Sequence, residues 1–110
     1  MTSKITEKYT LLQDDHDGVC DFANFLTRIH DKFNDVNLII DILKYDKMNL
    51  QDLLCFLTLS NTHRALKKSL ILVNAAISPE EIPDELLVVP TLQEAEDVIE
   101  MEEIERDLGF

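Results

Sequence analysis

The residues of this chain that could bind a metal or act as nucleophiles are few and widely spaced. His16, His30 and His63 form no cluster, and Cys20 and Cys55 lie far apart in the sequence. A zinc-dependent hydrolase gathers its ligands in motifs such as His-x-His-x-Asp-His, which hold the metal and activate water. Only two glycines are present, so there is no Gly-rich phosphate loop or nucleophile elbow. The sequence therefore predicts a protein that is not an enzyme and has no metal or cofactor.

Both cysteines fall within apolar patterns typical of helices. Such a setting favours reduced, buried thiols over a disulfide or a metal pair, as expected of a cytosolic protein. Met1–Glu7 has no signal-peptide core, and no apolar run approaches the roughly 20 residues that cross a bilayer. We therefore expect a cytoplasmic protein with no membrane-spanning segment.

The charge of the chain is concentrated at one end. The formal net charge is −12, with 22 acidic and 10 basic residues. Residues 79–110 contain 12 acids and a single base, Arg106, which leaves a balance of −11 in that segment and −1 in the first 78 residues. A surface of this sign repels nucleic acid, so we expect no nucleic-acid partner.

Two short apolar runs, Asn37–Asp41 and Ser69–Val73, flank a helix-like segment that opens at Asn49. Neither run alternates between apolar and polar residues, which is typical of parallel strands with helices on both faces. The predicted strands are Ile5–Leu12, Leu38–Ile42, Ser69–Ala75 and Leu86–Val89. The pattern predicts one α/β domain over residues 1–110, with about four mainly parallel strands and three main helices.

Turn and capping residues set the limits of the first two helices. We expect Asp17 to cap the first helix, whose apolar stripe continues to Phe33 and which ends at Asn34-Asp35. Asn49 can cap the second helix, whose second half, Ser60–Arg64, is expected to face solvent. A basic cluster there is expected to interact with the carboxyl end of that helix in preference to binding phosphate; it consists of His63, Arg64, Lys67 and Lys68.

The third helix is acidic and covers residues 91–110. Thr91 with Glu94 three residues later predicts a capping box at its start. Two prolines in the link 77–84 restrict that link to a turn or a single helical turn. The acidic face of the helix has two interpretations: a solvated surface, which we favour, or a docking element for a basic partner, suggested by Ile104 and Leu108-Gly109-Phe110.

The central segment resembles the middle of a STAS domain, the fold of bacterial anti-sigma-factor antagonists. In that family a strand ending in Asp-Leu is followed by Asp-Ser-Ser-Gly-Leu at a helix start, where one serine is phosphorylated by a partner kinase. Here Asp41-Ile42 matches the strand end, Met48-Asn49 the approach, and Leu53 the final Leu. Leu50-Gln51-Asp52 replaces Ser-Ser-Gly, so the phospho-acceptor is missing.

The same resemblance reaches the end of the domain. Val88–Ala95 follows the family's pattern of a strand, a short turn and a helix opening in Glu-Ala. The likeness spans roughly Ile5 to Ile99 and implies a non-enzymatic interaction module.

Asp52 beside the lost serine can be interpreted in two ways. It could supply a fixed negative charge that partly imitates phosphorylation, since a phosphate adds about two negative charges. The alternative, which we favour, is an ordinary first-turn acid that stabilises the positive end of the helix dipole.

The resemblance implies a partner such as a sigma-regulating kinase or a related switch protein, with the oligomeric state left open. The predicted partner-binding residues are Tyr45, Asp46, Asn49, Leu50, Gln51 and Asp52, together with Glu100 and Glu103 on the last helix. One alternative is a small-ligand or nucleotide sensor, whose rim would carry Asp41, Lys44 and Asn49. Another is a non-catalytic accessory partner of a tRNA-processing metallo-hydrolase.

Overall fold

A computed structural model describes residues 1–109 as five strands and four α-helices. The strands are β1 (Thr2–Ile5), β2 (Thr10–Gln13), β3 (Leu38–Asp41), β4 (Leu70–Val73) and β5 (Val88–Val89). The helices are α1 (Val19–Arg28), α2 (Leu50–Leu54), α3 (Leu57–Ala65) and α4 (Leu92–Asp107). Short 3-10 turns cover His30–Phe33 and Pro79–Glu81, the second of which confirms the single turn predicted for the proline-containing link.

The strands form one sheet in the order β1-β2-β3-β4-β5. β2 to β5 pair in parallel, and only β1 is antiparallel. Leu38 lies opposite Leu70, and Ile40 lies opposite Leu72, so the two apolar runs are neighbours at the centre of the sheet. The predicted mainly parallel α/β class is confirmed, although the sheet has one more strand than expected.

The additional strand comes from the amino-terminal segment. Ile5–Leu12 was predicted as one strand, but the chain reverses between β1 and β2. The Thr6 hydroxyl oxygen accepts hydrogen bonds from the backbone N–H of Lys8 (3.3 Å) and Tyr9 (3.1 Å), which closes the turn. Glu7, which breaks the alternation of the pattern, lies in this exposed turn.

The core is divided by the sheet into two layers. On one face α1, α2 and α3 cover Leu12, Leu38, Ile40, Leu70 and Leu72. On the other face Ala95 and Ile99 of α4 cover Ile39, Ile71 and Val73. Because β3 and β4 are buried on both faces, successive side chains are apolar, which explains the runs seen in the sequence.

Three helix limits differ from those predicted. Gly18 occupies the cap position of α1 with a φ of 102°, and the helix has no side-chain cap, so the prediction for Asp17 was wrong. A positive φ of this size favours glycine. The chain enters α1 through this glycine conformation, and no carboxylate accepts a capping hydrogen bond. The helix ends at Arg28, ahead of Asn34-Asp35, because a 3-10 turn follows. The predicted second helix is interrupted after Leu54 and continues as α3.

The prediction of free thiols was wrong. Cys20 in α1 and Cys55 at the end of α2 form a disulfide, with their Cα atoms 5.3 Å apart. The two residues are partly exposed and 35 positions apart in the sequence. The spacing of the two cysteines in the sequence does not predict that they pair. They come together only because α1 packs beside α2 on one face of the sheet.

The second half of the α2–α3 segment is less exposed than predicted. Ser60 and His63 are completely buried, so the prediction that both face solvent was wrong. The prediction that His63 interacts with the carboxyl end of its helix was also wrong. His63 Nε2 donates to the Val36 carbonyl (2.8 Å), so its Nδ1 accepts from His30 Nε2 (2.8 Å). Burial, followed by the charges of His30 and Lys68, lowers the pKa of His63 to about 4.

Within residues 1–109, no helix is long and apolar enough to cross a membrane. The same described part of the chain holds no group of three or more histidine, cysteine or acidic side chains arranged to bind a metal ion.

Candidate partner-binding surface

Parallel pairing brings the carboxyl ends of β2 to β5 to one edge of the sheet, here called the carboxyl edge. The loop 42–49 leaves this edge after β3 and leads directly into α2. At the opposite, amino edge, Lys8, Asn37 and Ser69 precede β2, β3 and β4. Most of the predicted partner-binding residues lie on the loop 42–49 and the first turn of α2.

A capping box fixes the start of α2. The Asn49 side-chain oxygen accepts from the Asp52 backbone N–H (3.0 Å), and the Asp52 carboxylate accepts from the Asn49 backbone N–H (3.2 Å). Each side chain satisfies a donor that the first helical turn leaves unpaired. The predicted cap at Asn49 is confirmed, and the carboxylate of Asp52 takes part in it.

Asn74, at the end of β4, holds the loop 42–49 from below. Its side-chain nitrogen donates to the carbonyls of Ile42 (2.8 Å) and Tyr45 (2.9 Å). Its oxygen accepts from the backbone N–H of Ala76 (2.8 Å) and Ile77 (3.1 Å). A single buried amide therefore connects the loops after β3 and β4, and both of its polar atoms are satisfied.

Tyr45 turns its hydroxyl towards the protein. The hydroxyl donates to the carboxylate of Asp14, which is buried after the end of β2. Burial of the ring, together with this hydrogen bond to a carboxylate, raises the pKa of Tyr45 well above its ordinary value. Tyr45 therefore attaches the loop 42–49 to the domain through its hydroxyl, and only part of its ring is exposed to a partner.

The outer surface of this region is formed by exposed residues of the loop and of α2. Asp46, Asn49, Leu50 and Gln51 are exposed. Leu54, one turn after Leu50, is also exposed, so the two leucines lie on one side of α2. Sequence reasoning did not include Leu54 in the site. The signal in the sequence is the pattern of the helix itself, in which apolar residues lie on almost every side.

Glu100 and Glu103 lie at the other edge of the sheet. Glu100 forms an ion pair with Lys8 (2.5 Å), and Glu103 accepts from the Asn37 side chain (2.7 Å). α4 begins beyond the carboxyl edge, at Thr91, and runs back across the sheet to reach these residues. The eight predicted partner-binding residues therefore form two separate groups.

The amino edge holds a polar network around Ser69. Its hydroxyl donates to Glu102 (2.6 Å) and accepts from Arg106 (3.2 Å), while Glu102 also pairs with Arg64 (3.2 Å). Arg106 reaches the Asn37 side-chain oxygen as well (3.4 Å). Hydrogen bonds and ion pairs thus attach the second half of α4 to the sheet. Arg64, which we predicted to interact with the carboxyl end of its helix, serves this network.

The three polar residues proposed for a sensor rim have intramolecular partners. Asp41 is buried and accepts from the Leu43 backbone N–H (3.0 Å). The Lys44 ammonium donates to the His16 carbonyl, and Asn49 caps α2. An acidic cavity of about 370 Å³ opens nearby; it is lined by Asp14, Asp17 and Asp21 with Phe22 and Phe25. Ligand binding at this rim stays a prediction.

The sheet order, the single antiparallel edge strand and the division of the helices, three on one face and one on the other, define a STAS-like fold. A solved structure similar to this chain is a serine-to-glutamate variant of RsbS from Moorella thermoacetica, a STAS-domain protein. The match has a TM-score of 0.65 and covers 90% of this chain and 93% of that one, at 13% sequence identity. At this identity the likeness shows the fold. No protein-family model and no curated protein sequence matches the chain.

Proposed function

We propose that this chain is a STAS-like regulatory module that binds a protein partner through the loop 42–49 and the first turns of α2. The proposed contact residues are Tyr45, Asp46, Asn49, Leu50, Gln51 and Asp52, to which we add Leu54. The observation that carries the proposal is that exposed leucines stand on a loop and helix whose backbone is already fixed by Asn74 and the capping box. A preorganised surface loses little conformational freedom on binding.

The proposed module works without a phosphorylation switch at the helix start. Positions 50–52 contain no hydroxyl, and the carboxylate of Asp52 is engaged in the cap. The partner we propose is a sigma-regulating kinase or a related switch protein of a bacterial, cytoplasmic signalling system. Binding then depends on the concentrations of the two proteins rather than on phosphorylation of this site. Glu100 and Glu103 belong to a second contact on α4.

The test is chemical cross-linking in cells that express the tagged chain, with two matched variants. Leu50 and Leu66 are similarly exposed, at 41% and 43%, but Leu66 follows α3 near the amino edge. We expect one protein to be recovered in near-equal amount by the wild type and by Leu66→Ser, and to be strongly reduced with Leu50→Ser. Recovery of no protein, or equal recovery by all three chains, would contradict the proposal.

A thermal-shift screen against nucleotides separates this function from the sensor alternative. A ligand that binds the folded chain raises its melting temperature in proportion to ligand concentration and affinity. The interaction module predicts no shift with ATP, GTP or cyclic nucleotides. A saturable shift that is lost in Lys44→Ala would favour the sensor instead.

A further inference from the structure

The two halves of α4 bury different kinds of side chain. In the first half Ala95 and Ile99 are completely buried against the sheet. In the second half the inward positions are polar: Glu102 and Arg106 form the network with Ser69. The helix remains attached to the domain in both halves, but only the first half uses its apolar residues for that attachment.

The apolar residues of the second half therefore face outwards. Met101 and Ile104 are each 60% exposed, and Leu108 is 67% exposed. Their spacing of three and four residues places them in one stripe along the helix, the spacing by which one helix packs against another. Large side chains exposed in a continuous stripe are a mark of an interaction surface. Within the described residues 1–109, no other element covers them.

One side of the stripe is acidic, and the other side carries both acidic and basic residues. At helical spacing Glu100 and Asp107 follow the acidic side, where Lys8 pairs with Glu100. Glu105 follows the other side, near Lys67 and Lys68. A second copy of this chain docked stripe to stripe would bring carboxylates against carboxylates, which disfavours a homodimer. The same border attracts a helix whose apolar seam is flanked by lysine and arginine, and it speeds and orients the encounter. The segment 79–110, with its balance of −11, extends this attraction beyond the stripe.

We propose that Met101, Ile104 and Leu108 form a docking site for a basic amphipathic helix of a protein partner. This site gives a detailed form to the second contact on α4, and it rests on the proposed interaction role. It lies at the amino edge, away from Leu50. The partner helix inserts apolar side chains along the stripe and pairs its basic side chains with Asp107 and the other acids on the acidic side of α4. Charge selects the partner, and burial of the stripe supplies most of the affinity.

The test measures fluorescence anisotropy of labelled helical peptides titrated with the full chain. The first peptide repeats leucine at the seam positions of each heptad and lysine at the flanking positions. The second has the same composition in a shuffled order without a seam, and the third has glutamate in place of lysine. We expect the seam peptide to bind about tenfold or more tightly than the shuffled peptide, and the acidic peptide to bind least. Equal binding of the seam and shuffled peptides would overturn the site, because charge alone would then explain it.

Three variants locate the binding. Ile104→Ser should weaken the seam peptide about tenfold, since it removes the central apolar side chain of the stripe. Leu66→Ser, a matched exposed leucine, should leave it unchanged, and so should Leu50→Ser, which tests the carboxyl edge only. Because Ile104 is exposed, its variant should melt at the wild-type temperature. Unchanged peptide binding in Ile104→Ser would overturn the site while leaving the function proposed for the carboxyl edge untouched.

Sedimentation velocity provides the remaining check. The acidic border predicts that the wild-type chain shows no self-association through α4 at low ionic strength. A concentration-dependent dimer that disappears in Ile104→Ser would overturn the proposal, since the stripe would then be a contact between copies of this chain.

Discussion

The carboxyl and amino edges of the sheet are organised by different interactions. At the carboxyl edge, the buried Asn74 amide and the capping box formed by Asn49 and Asp52 fix the loop 42–49, and leucines are exposed outside it. At the amino edge, charged groups attach α4, and the buried imidazoles of His30 and His63 lie nearby. We therefore expect the amino edge to be more sensitive to salt and to mild acid than the carboxyl edge.

Loss of the disulfide, which connects α1 to the end of α2 beside the carboxyl edge, should destabilise the protein most. Closing a loop over a separation of 35 residues restricts the unfolded chain. Cys20→Ser should therefore lower the free energy of unfolding by about 4 kcal/mol under oxidising conditions. Denaturation in urea with and without reductant measures this. Reductant should destabilise the wild type to a similar extent and leave the variant unaffected; equal stability of wild type and variant without reductant would show that the bond does not form.

Asn74→Ala tests the bracing of the carboxyl edge. The substitution leaves four buried or partly buried backbone groups without their partner, which should cost about 3 kcal/mol. Hydrogen exchange should accelerate in the loop 42–49 and much less at the amino edge. Gln51→Ala, an exposed position, is the control and should change neither quantity. Uniform acceleration across both edges would contradict the local role of Asn74.

The buried histidine pair makes the amino edge sensitive to acid. Burial lowers the pKa of His63 from its ordinary value of 6.5 to about 4 in the folded protein, so the unfolded chain binds a proton first as the pH falls. The contribution of neutral His63 to the free energy of unfolding is fully present above the pKa of His63 in the unfolded chain, and it is lost as the pH falls towards the lower pKa of the folded protein. The loss is about 2 kcal/mol between about pH 7 and about pH 5.

The control for this pH dependence is the exposed His16. His63→Asn should flatten the stability profile between about pH 7 and about pH 5, whereas His16→Asn should reproduce the wild-type slope. Urea denaturation across this interval measures both variants. A wild-type slope retained in His63→Asn would mean that other groups cause the acid sensitivity.

The smallest expected effect concerns the polar attachment of α4. Arg106→Gln removes the charged donor to Asn37 and Ser69 and should cost about 1 kcal/mol, less at high salt because these groups are partly exposed. Hydrogen exchange should accelerate in residues 101–107. Glu105→Gln, which lies on the exposed border of the stripe, should leave exchange there unchanged.

The fold could be predicted where local sequence and tertiary packing agree. Continuous apolar runs identified β3 and β4, since strands buried on both faces need apolar side chains at every position. The caps at Asn49 and Thr91 could be predicted because they depend on residues within one helical turn.

The features that were missed depend on distant parts of the chain. Pairing of Cys20 with Cys55 and burial of His63 both result from α1 packing beside α2 and α3, which local periodicity does not report. The separation of Glu100 from Leu50 depends on the direction in which α4 returns across the sheet. The sequence thus defined the residues near one candidate surface, but it did not reveal that the acidic helix serves the opposite edge.

Amine footprinting of the cross-linked complex shows whether the partner covers the carboxyl edge, as we propose. Lys44 and Lys47 are exposed on the loop 42–49, whereas Lys67 and Lys68 lie between α3 and β4 near the amino edge. We expect acetylation of Lys47 to fall strongly in the complex, relative to the free chain and to Leu50→Ser. Full acetylation of Lys47 in the wild-type complex would show that the partner binds elsewhere.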